Sequence, residues 1–198
     1  QESGGNQPEI PAARPEGEVR YELLHGITAS LRKVLSEISL AGGLEEIFSQ
    51  ALAAMCAELR CERAELARRN EAGALESFAA SFTPGETAIL SSVWLAEGTA
   101  SLWQNGFSSG LRGTVFSLSL DKEDKVPWVM TLDFGDSGAA LGALSLAELA
   151  FLGRWLEVEL NALLRMKRRC ELEIIRQRQL LFPSIPAEKE QVVVFGQG

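Results

Sequence analysis

The sequence has few of the residues that build metal centres or disulfide frameworks. It contains one His and three Cys among 198 residues. A His/Cys metal site needs a cluster of such ligands, and a disulfide framework needs patterned, paired cysteines, so neither is expected. An odd number of unpatterned thiols is typical of a reducing cytoplasm, where we expect this chain to be found. The single His25 also leaves no Ser/His/Asp set for nucleophilic catalysis. We therefore predict no catalytic residues, no metal and no cofactor, and a protein that is not an enzyme.

The chain also lacks an excess of basic residues and a long apolar run. Lys and Arg number 19 against 27 Asp and Glu, so the formal net charge is −8. An acidic chain repels a phosphate backbone, which disfavours nucleic acid as a partner. The longest apolar candidates, Leu141–Gly153 and Thr87–Leu95, are shorter than the ~20 residues that span a bilayer. We therefore expect neither a nucleic-acid partner nor a membrane span.

Residues that can form a core are present in ordinary amounts. Apolar residues make up 46% of the chain and charged residues 23%, which is typical of a globular protein. The length suits one domain with flanking segments. Linker composition marks 1–17, and the pattern of residues along the rest of the chain suggests an N-terminal helix (18–43), a domain (44–164), a projecting helix (165–182) and a second linker (183–198). With no Met or signal sequence at its start and an apolar run at its end, the chain is expected to be a segment of a longer protein.

Four stretches have the pattern of amphipathic helices. Apolar residues recur at steps of three and four over 24–38 and again over 44–59. Thr83–Glu86 has the residue types and spacing of a helix N-terminus, which predicts a third helix. The fourth stretch, 145–181, carries an apolar stripe whose period lies between those of a coiled coil and a straight helix. A helix of that length projects from a small domain, and its apolar stripe requires a partner.

Alternating and turn-rich stretches predict two β-hairpins. One is centred on a polar turn at 70–73, between two loosely alternating runs. The other joins 114–120 to 126–134, and its second strand places Trp128 and Met130 on the same face. The Gly- and Ser-rich stretch 104–113 is predicted to be a loop.

This order of elements, with several local phrases, resembles the GAF domain, a small-molecule sensor module of signalling proteins. Leu44–Ala64 looks like the family's first helix leading into its first strand. Gly113–Leu120 and Val126–Phe134 look like its late hairpin, and Ser145–Leu149 looks like the start of its closing helix. The resemblance covers roughly 20–180 and implies an α+β fold. That fold has a central antiparallel sheet of five to six strands, helices on one face, a ligand pocket on the other and a long C-terminal helix. A PAS-like sensor domain is the alternative.

The resemblance also implies where a ligand would bind. GAF domains bind cyclic nucleotides, bilins, haem, iron or small metabolites, but the residues typical of cyclic-nucleotide binding are not found here. Aromatic and hydroxyl side chains cluster where the family has its pocket, which suits a small, mostly apolar ligand. The alternative is that the aromatic residues fill the core and leave no cavity. The candidate ligand-binding residues are Trp94, Trp103, Phe107, Thr114, Phe116, Ser117, Trp128 and Met130.

We expect a cytoplasmic sensory or regulatory domain of a bacterial signalling protein, working as a homodimer. A ligand or partner would act on a downstream output domain in the same chain through the helices. The stretch 176–186 looks like the junction that precedes a bacterial Ser/Thr phosphatase domain, and 195–198 would suit the entry to an AAA+ transcription activator. The alternative is a ligand-free dimerisation or protein-interaction module. The predicted dimer interface consists of Leu24, Ile27, Leu31, Leu156, Leu160 and Leu163.

Overall fold

A computed structural model describes residues 21–70, 72, 74–82, 101–102, 104–110, 112–120, 127–135, 141 and 144–181. Within this part of the chain, five strands and three helices with described bounds form an α+β fold, and residues 101–102 and 104–105 are also helical. The elements are α1 (Tyr21–Ser36), α2 (Leu44–Leu59), β1 (Arg63–Arg69), β2 (Leu75–Ala80), β3 (Phe107–Ser109), β4 (Gly113–Leu118), β5 (Trp128–Asp133) and α3 (Leu146–Leu181).

The helix boundaries follow from local chemistry. Helix α2 ends at Arg60, which adopts a left-handed conformation with φ 56° and ψ 37°. Helix α3 begins with a reciprocal cap. The backbone N–H of Ser145 donates to Glu148 Oε2 at 2.7 Å, and the N–H of Glu148 donates to Ser145 Oγ at 3.3 Å. This capping box satisfies two backbone donors that an uncapped helix would leave free.

The strands form one antiparallel sheet in the order β2-β1-β5-β4-β3. Met130 of β5 pairs with Leu66 of β1 on one side and with Phe116 of β4 on the other. Because paired residues share a face and successive residues alternate, this row defines what we call the first face. Thr131 pairs with Glu65 and with Val115, and this row defines the second face.

The first face carries the main core. Helix α2 contacts β1 and β2, α3 contacts β3 and β4, and α1 lies against both α2 and α3. Leu31 and Leu35 of α1 are buried in the same core as Phe116, Met130 and Leu132. Helix α1 therefore shares the core of the domain that follows it.

The second face carries a smaller apolar cluster. It joins Val115 and Val129 to Leu102, with Leu75 at its edge. Every residue of β5 is buried, so this central strand is covered on both faces. Strands covered on both faces consist largely of apolar residues, which makes the polar members of β5 stand out.

Helix α3 extends well past the sheet. Its 36 residues span about 54 Å at ~1.5 Å per residue. All residues from Arg168 to Leu180 are exposed, and they include Leu172, Ile174 and Ile175, each at least half exposed. None of the described helices is long and apolar enough to cross a bilayer.

The predicted fold class is confirmed. The sheet is antiparallel with five strands, helices cover its first face, and a long helix closes the domain. Both predicted hairpins are present as β1–β2 and β4–β5. The prediction of a loop over 104–113 is wrong at Phe107–Ser109, which pairs with β4 as an edge strand. The helix predicted from Thr83 lies outside the described residues.

Candidate functional site

The aromatic side chains of the first face pack closely together. Trp128 meets Phe78 edge to face, with 4.9 Å between ring centroids, and Phe78 meets Phe48 of α2 at 6.0 Å. The guanidinium of Arg68 lies 5.3 Å from the Phe78 centroid and 5.8 Å from that of Trp128. Edge-to-face pairs and cation–π contacts are favourable geometries for aromatic packing. Trp128 is therefore engaged within the core that joins the sheet to α2.

Most of the other candidate ligand residues also lie on the first face. Phe107 pairs with Phe116, and Phe116 with Met130; all three side chains are buried. Thr114 is fully buried, and its Oγ1 lies 3.2 Å from Ser109 Oγ. Ser117 is half-buried and pairs with Val129 of the second face. Trp94 and Trp103 are outside the described residues.

The structure thus divides the predicted ligand set between the two faces. The resemblance implies a pocket on the face away from the helices, but Phe107, Thr114, Phe116, Trp128 and Met130 are on the face that the helices cover. The alternation of β5 correctly groups Trp128 with Met130. It does not show which layer covers that group, since both faces of β5 are buried.

A groove lies between α3 and the β3–β4 edge of the sheet. It has a volume of about 530 Å³ and includes two of the predicted residues, Phe107 and Ser117. Arg154 and Glu157 of α3 lie on its other wall. The Glu157 carboxylate also accepts a hydrogen bond from the backbone N–H of Ser119 at 2.7 Å. The groove is open to solvent and lies at the sheet edge.

The second face buries a row of polar side chains that sequence reasoning missed. Glu65, Thr131 and Asp133 have at most 1% of their surface exposed. Glu65 lies directly opposite Thr131 in the β1–β5 register, and Asp133 lies opposite Arg63. Burial of polar groups is unfavourable unless they find hydrogen-bond partners. Each side chain of this row is therefore expected to have a partner, and a missing partner would indicate a contact with a ligand.

Both carboxylate oxygens of Asp133 have hydrogen-bond partners. Its Oδ2 lies 2.5 Å from an Arg63 guanidinium nitrogen, and its Oδ1 accepts the backbone N–H of Gly135 at 2.9 Å. The Arg63 side chain is 30% exposed, whereas that of Asp133 is 2% exposed. The buried carboxylate of Asp133 is therefore paired with a guanidinium that is partly exposed to solvent.

Thr131 differs from its neighbours. Its side chain is 0% exposed, and Oγ1 has no hydrogen-bond partner among the described residues. A buried hydroxyl without a partner costs ~1–3 kcal/mol. The available signal in the sequence was a Thr and an Asp within an otherwise apolar strand, but only the strand order places them beside Glu65 and Arg63.

The predicted dimer residues lie within a single chain's core. Leu31, Leu156, Leu160 and Leu163 are each at most 3% exposed and belong to the main core cluster, against which Ile27 is half-buried. Leu24 is also buried, at 3% exposed. The exposed apolar residues of α3 lie elsewhere on the helix. Phe151, Val158 and Leu172 are 50%, 58% and 66% exposed. They are separated by whole multiples of seven residues, so they share one side of the helix.

Few groups in the described part of the chain have the chemistry of a metal site. No set of three or more His, Cys, Asp or Glu residues is placed to hold an ion there. His25 lies on α1 beside an open groove of about 580 Å³ whose lining includes Tyr21 and Phe151. Cys56 and Cys61 are buried and reduced, and Cys170 is exposed on α3.

No protein-family profile and no curated protein matches the chain. Among solved structures, the chain is similar to the phycoerythrobilin-bound GAF domain of a cyanobacterial phytochrome. They share 14% identity and a TM-score of 0.42, over 76% of this chain and 96% of that one. It is also similar to a phycocyanobilin-bound GAF domain of a cyanobacterial phytochrome, at 14% identity and a TM-score of 0.42, over 71% and 94% of the two chains. At this identity most matched positions carry different residues, so no ligand contact is transferred from either structure.

Proposed function

We propose that this chain is the sensory domain of a signalling protein and binds a small molecule against the second face of its sheet. The observation that carries this proposal is the Thr131 hydroxyl, which is buried on that face without a partner among the described residues. A bound molecule that hydrogen-bonds to Oγ1 would remove the cost of leaving it unpaired. The GAF-like order of elements agrees with this location.

The second face also suggests the chemistry of the ligand. The Glu65 carboxylate and the Thr131 hydroxyl lie opposite each other, and both can accept hydrogen bonds. Val115 and Val129 provide apolar surface next to them. The site therefore suits a small molecule with an apolar body and a polar end that carries N–H or O–H donors.

Helix α3 provides a route from the site to an output domain. Its Gly153 lies against Phe116 of β4, a strand that also carries Val115 of the second face. A ligand that favours one position of this strand would shift the helix by a coupling free energy of ~1–3 kcal/mol. In this proposal two chains pair through exposed residues of α3, and the helix leads to a phosphatase or a transcription-activator domain.

Native mass spectrometry of the purified protein, repeated after denaturation, tests the ligand. We expect extra mass that is lost on denaturation. Thr131→Val keeps the side-chain shape but removes the hydroxyl, and it should reduce the bound fraction. The matched control is Thr114→Val, because Thr114 is equally buried but lies on the first face and should leave the bound fraction unchanged.

A protein without extra mass, whose melting temperature no compound of a metabolite library raises, would contradict the sensory proposal. It would favour the second candidate, a ligand-free dimerisation or protein-interaction module. The observation behind that candidate is the set of exposed apolar residues along α3, including Leu172 and Leu180. Exposed apolar surface along a helix is typical of a contact with a protein partner.

A further inference from the structure

Two thiols meet where α2 passes into β1. Cys56 lies in the last turn of α2, and Cys61 lies two residues before β1. Both are free and both are 8% exposed, and their Sγ atoms are 2.9 Å apart. A disulfide bond has an S–S distance of about 2.05 Å, so the two sulfur atoms are within about 1 Å of bonding distance.

The backbone holds this approach in place. The left-handed residue Arg60 turns the chain back at the end of α2. The backbone N–H of Cys61 then donates to the carbonyl oxygen of Cys56 at 3.0 Å. A left-handed residue followed by this hydrogen bond is a common way to end a helix. The contact between the thiols is therefore built into the helix terminus.

Ser81 orients the first of the two thiols. Its Oγ accepts a hydrogen bond from the Cys56 thiol at 3.4 Å and another from the backbone N–H of Ala64 at 2.8 Å. The backbone N–H of Ser81 donates to the Ala64 carbonyl oxygen at 2.9 Å. Two hydrogen bonds to Ala64 of β1 thus fix Ser81, which makes it a positioning residue for Cys56.

The same contacts shift the pKa values of the two thiols in opposite directions. The hydrogen bond with Cys61 and, to a smaller extent, that with Ser81 lower the pKa of Cys56, against an opposing effect of burial. The hydrogen bond with Cys56 and burial raise the pKa of Cys61. Cys56 is therefore the thiol that ionises first, and the thiolate is the reactive form of a cysteine.

We propose that Cys56 and Cys61 form a reversible disulfide in response to a peroxide. The Cys56 thiolate attacks one peroxide oxygen, the O–O bond breaks, and the leaving hydroxide takes up a proton as water, which leaves a sulfenic acid on Cys56. The Cys61 sulfur then attacks the Cys56 sulfur. The S–S bond forms, the S–O bond breaks, and hydroxide leaves with the Cys61 proton as a second water. Two thiols and one peroxide thus give one disulfide and two waters, and a small-molecule thiol reverses the reaction by exchange.

This disulfide goes beyond the proposed ligand-sensing function. It would join the end of α2 to the start of β1, the strand that carries Arg63 and Glu65 of the second face. Oxidation would therefore act on the same strand as the ligand, but through different atoms.

The experiment uses the Cys170→Ser variant, because Cys170 is an exposed thiol that could link two chains. The protein is treated with one equivalent of hydrogen peroxide, free thiols are alkylated, and the denatured protein is digested with trypsin. Trypsin cuts after Lys33, Arg60 and Arg63, and so separates the two cysteines. We expect peptides 34–60 and 61–63 joined by a bond that a reducing agent breaks, and a whole-protein mass lower by two hydrogen atoms.

Two serine variants in the same background test the positioning role. Ser81→Ala should slow disulfide formation several-fold. Ser77→Ala changes an exposed serine on β2, the strand that ends one residue before Ser81, and should leave the rate unchanged. Equal rates in the two variants would remove Ser81 from the proposal. Two free thiols after treatment, or a sulfinic acid on Cys56 without joined peptides, would overturn the disulfide itself.

Discussion

Single residues explain how closely the elements of this fold approach one another. Gly153 lies inside the 36-residue helix α3, a position where Gly costs ~1 kcal/mol relative to Ala. A Cβ atom at this position would lie 2.9 Å from Cδ1 of Phe116, closer than packed carbon atoms normally come. Gly153 thus lets α3 lie directly on β4.

Replacing Gly153 with Ala should lower the free energy of unfolding by about 1–2 kcal/mol, because the cost of overpacking exceeds the gain in helix propensity. Gly26 is the matched control, since it lies within α1 and a Cβ there would meet nothing within 4 Å. Gly26→Ala should raise the free energy of unfolding by about 0.5–1 kcal/mol. Urea denaturation measures both changes, and an equal gain in the two variants would contradict the close approach.

The stability of a helix depends on the hydrogen bonds at its ends as well as on the burial of its apolar face. The capping box at the start of α3 joins Ser145 and Glu148 through two hydrogen bonds. The same Ser-x-x-Glu spacing is visible in the sequence. The start of this helix was predicted at Ser145, within one residue of the observed start, from its apolar stripe and from the resemblance. A cap is a local feature, so it can be read from neighbouring residues without knowledge of the fold.

Ser145→Ala should lower the free energy of unfolding by about 1 kcal/mol, the usual effect of losing a Ser cap. Ser36→Ala is the control, because Ser36 is exposed at the end of α1 and its hydroxyl donates to the carbonyl oxygen of Lys33. Its removal should change the free energy by only a few tenths of a kcal/mol. Similar losses in both variants, measured by thermal unfolding, would show that the cap has no special role.

At the scale of the whole molecule, the exposed length of α3 is the main feature. Residues from Arg168 to Leu180 are exposed, and an isolated helix of that length is marginally stable in water. Phe151, Val158 and Leu172 lie on one side of the helix and are at least half exposed. A second copy that packs along this side would bury the three residues and stabilise the free end.

We expect Leu172→Glu to shift the protein from dimer to monomer, because the substitution places a charge in the apolar contact. Gln177→Glu is the control, since Gln177 lies about 140° around the helix from Leu172. It should remain dimeric. Size-exclusion chromatography with light scattering measures the mass of each variant. A dimeric Leu172→Glu protein would contradict this interface, and a monomeric wild-type protein would contradict the dimer.

The site was less predictable than the fold. Trp128 and Met130 were correctly placed on one face of β5, but that face is the one the helices cover. The residues that distinguish the second face, Glu65 and Thr131, belong to strands that are far apart in sequence. Their juxtaposition depends on the pairing of β1 with β5, and no local pattern reports that pairing.

The sequence by itself determined the elements whose stability is local. Helix α2, the β4–β5 hairpin and the start of α3 follow from periodicity, turn residues and a cap, all of which act over a few neighbouring residues. Only the tertiary structure decided that Phe107–Ser109 is a strand, because three residues are stable in that conformation only when paired with β4. It also decided that Leu156 and Leu160 face their own chain's core. An amphipathic stripe has the same pattern whether its partner is the same chain or another, since burial removes apolar surface from water equally in both cases.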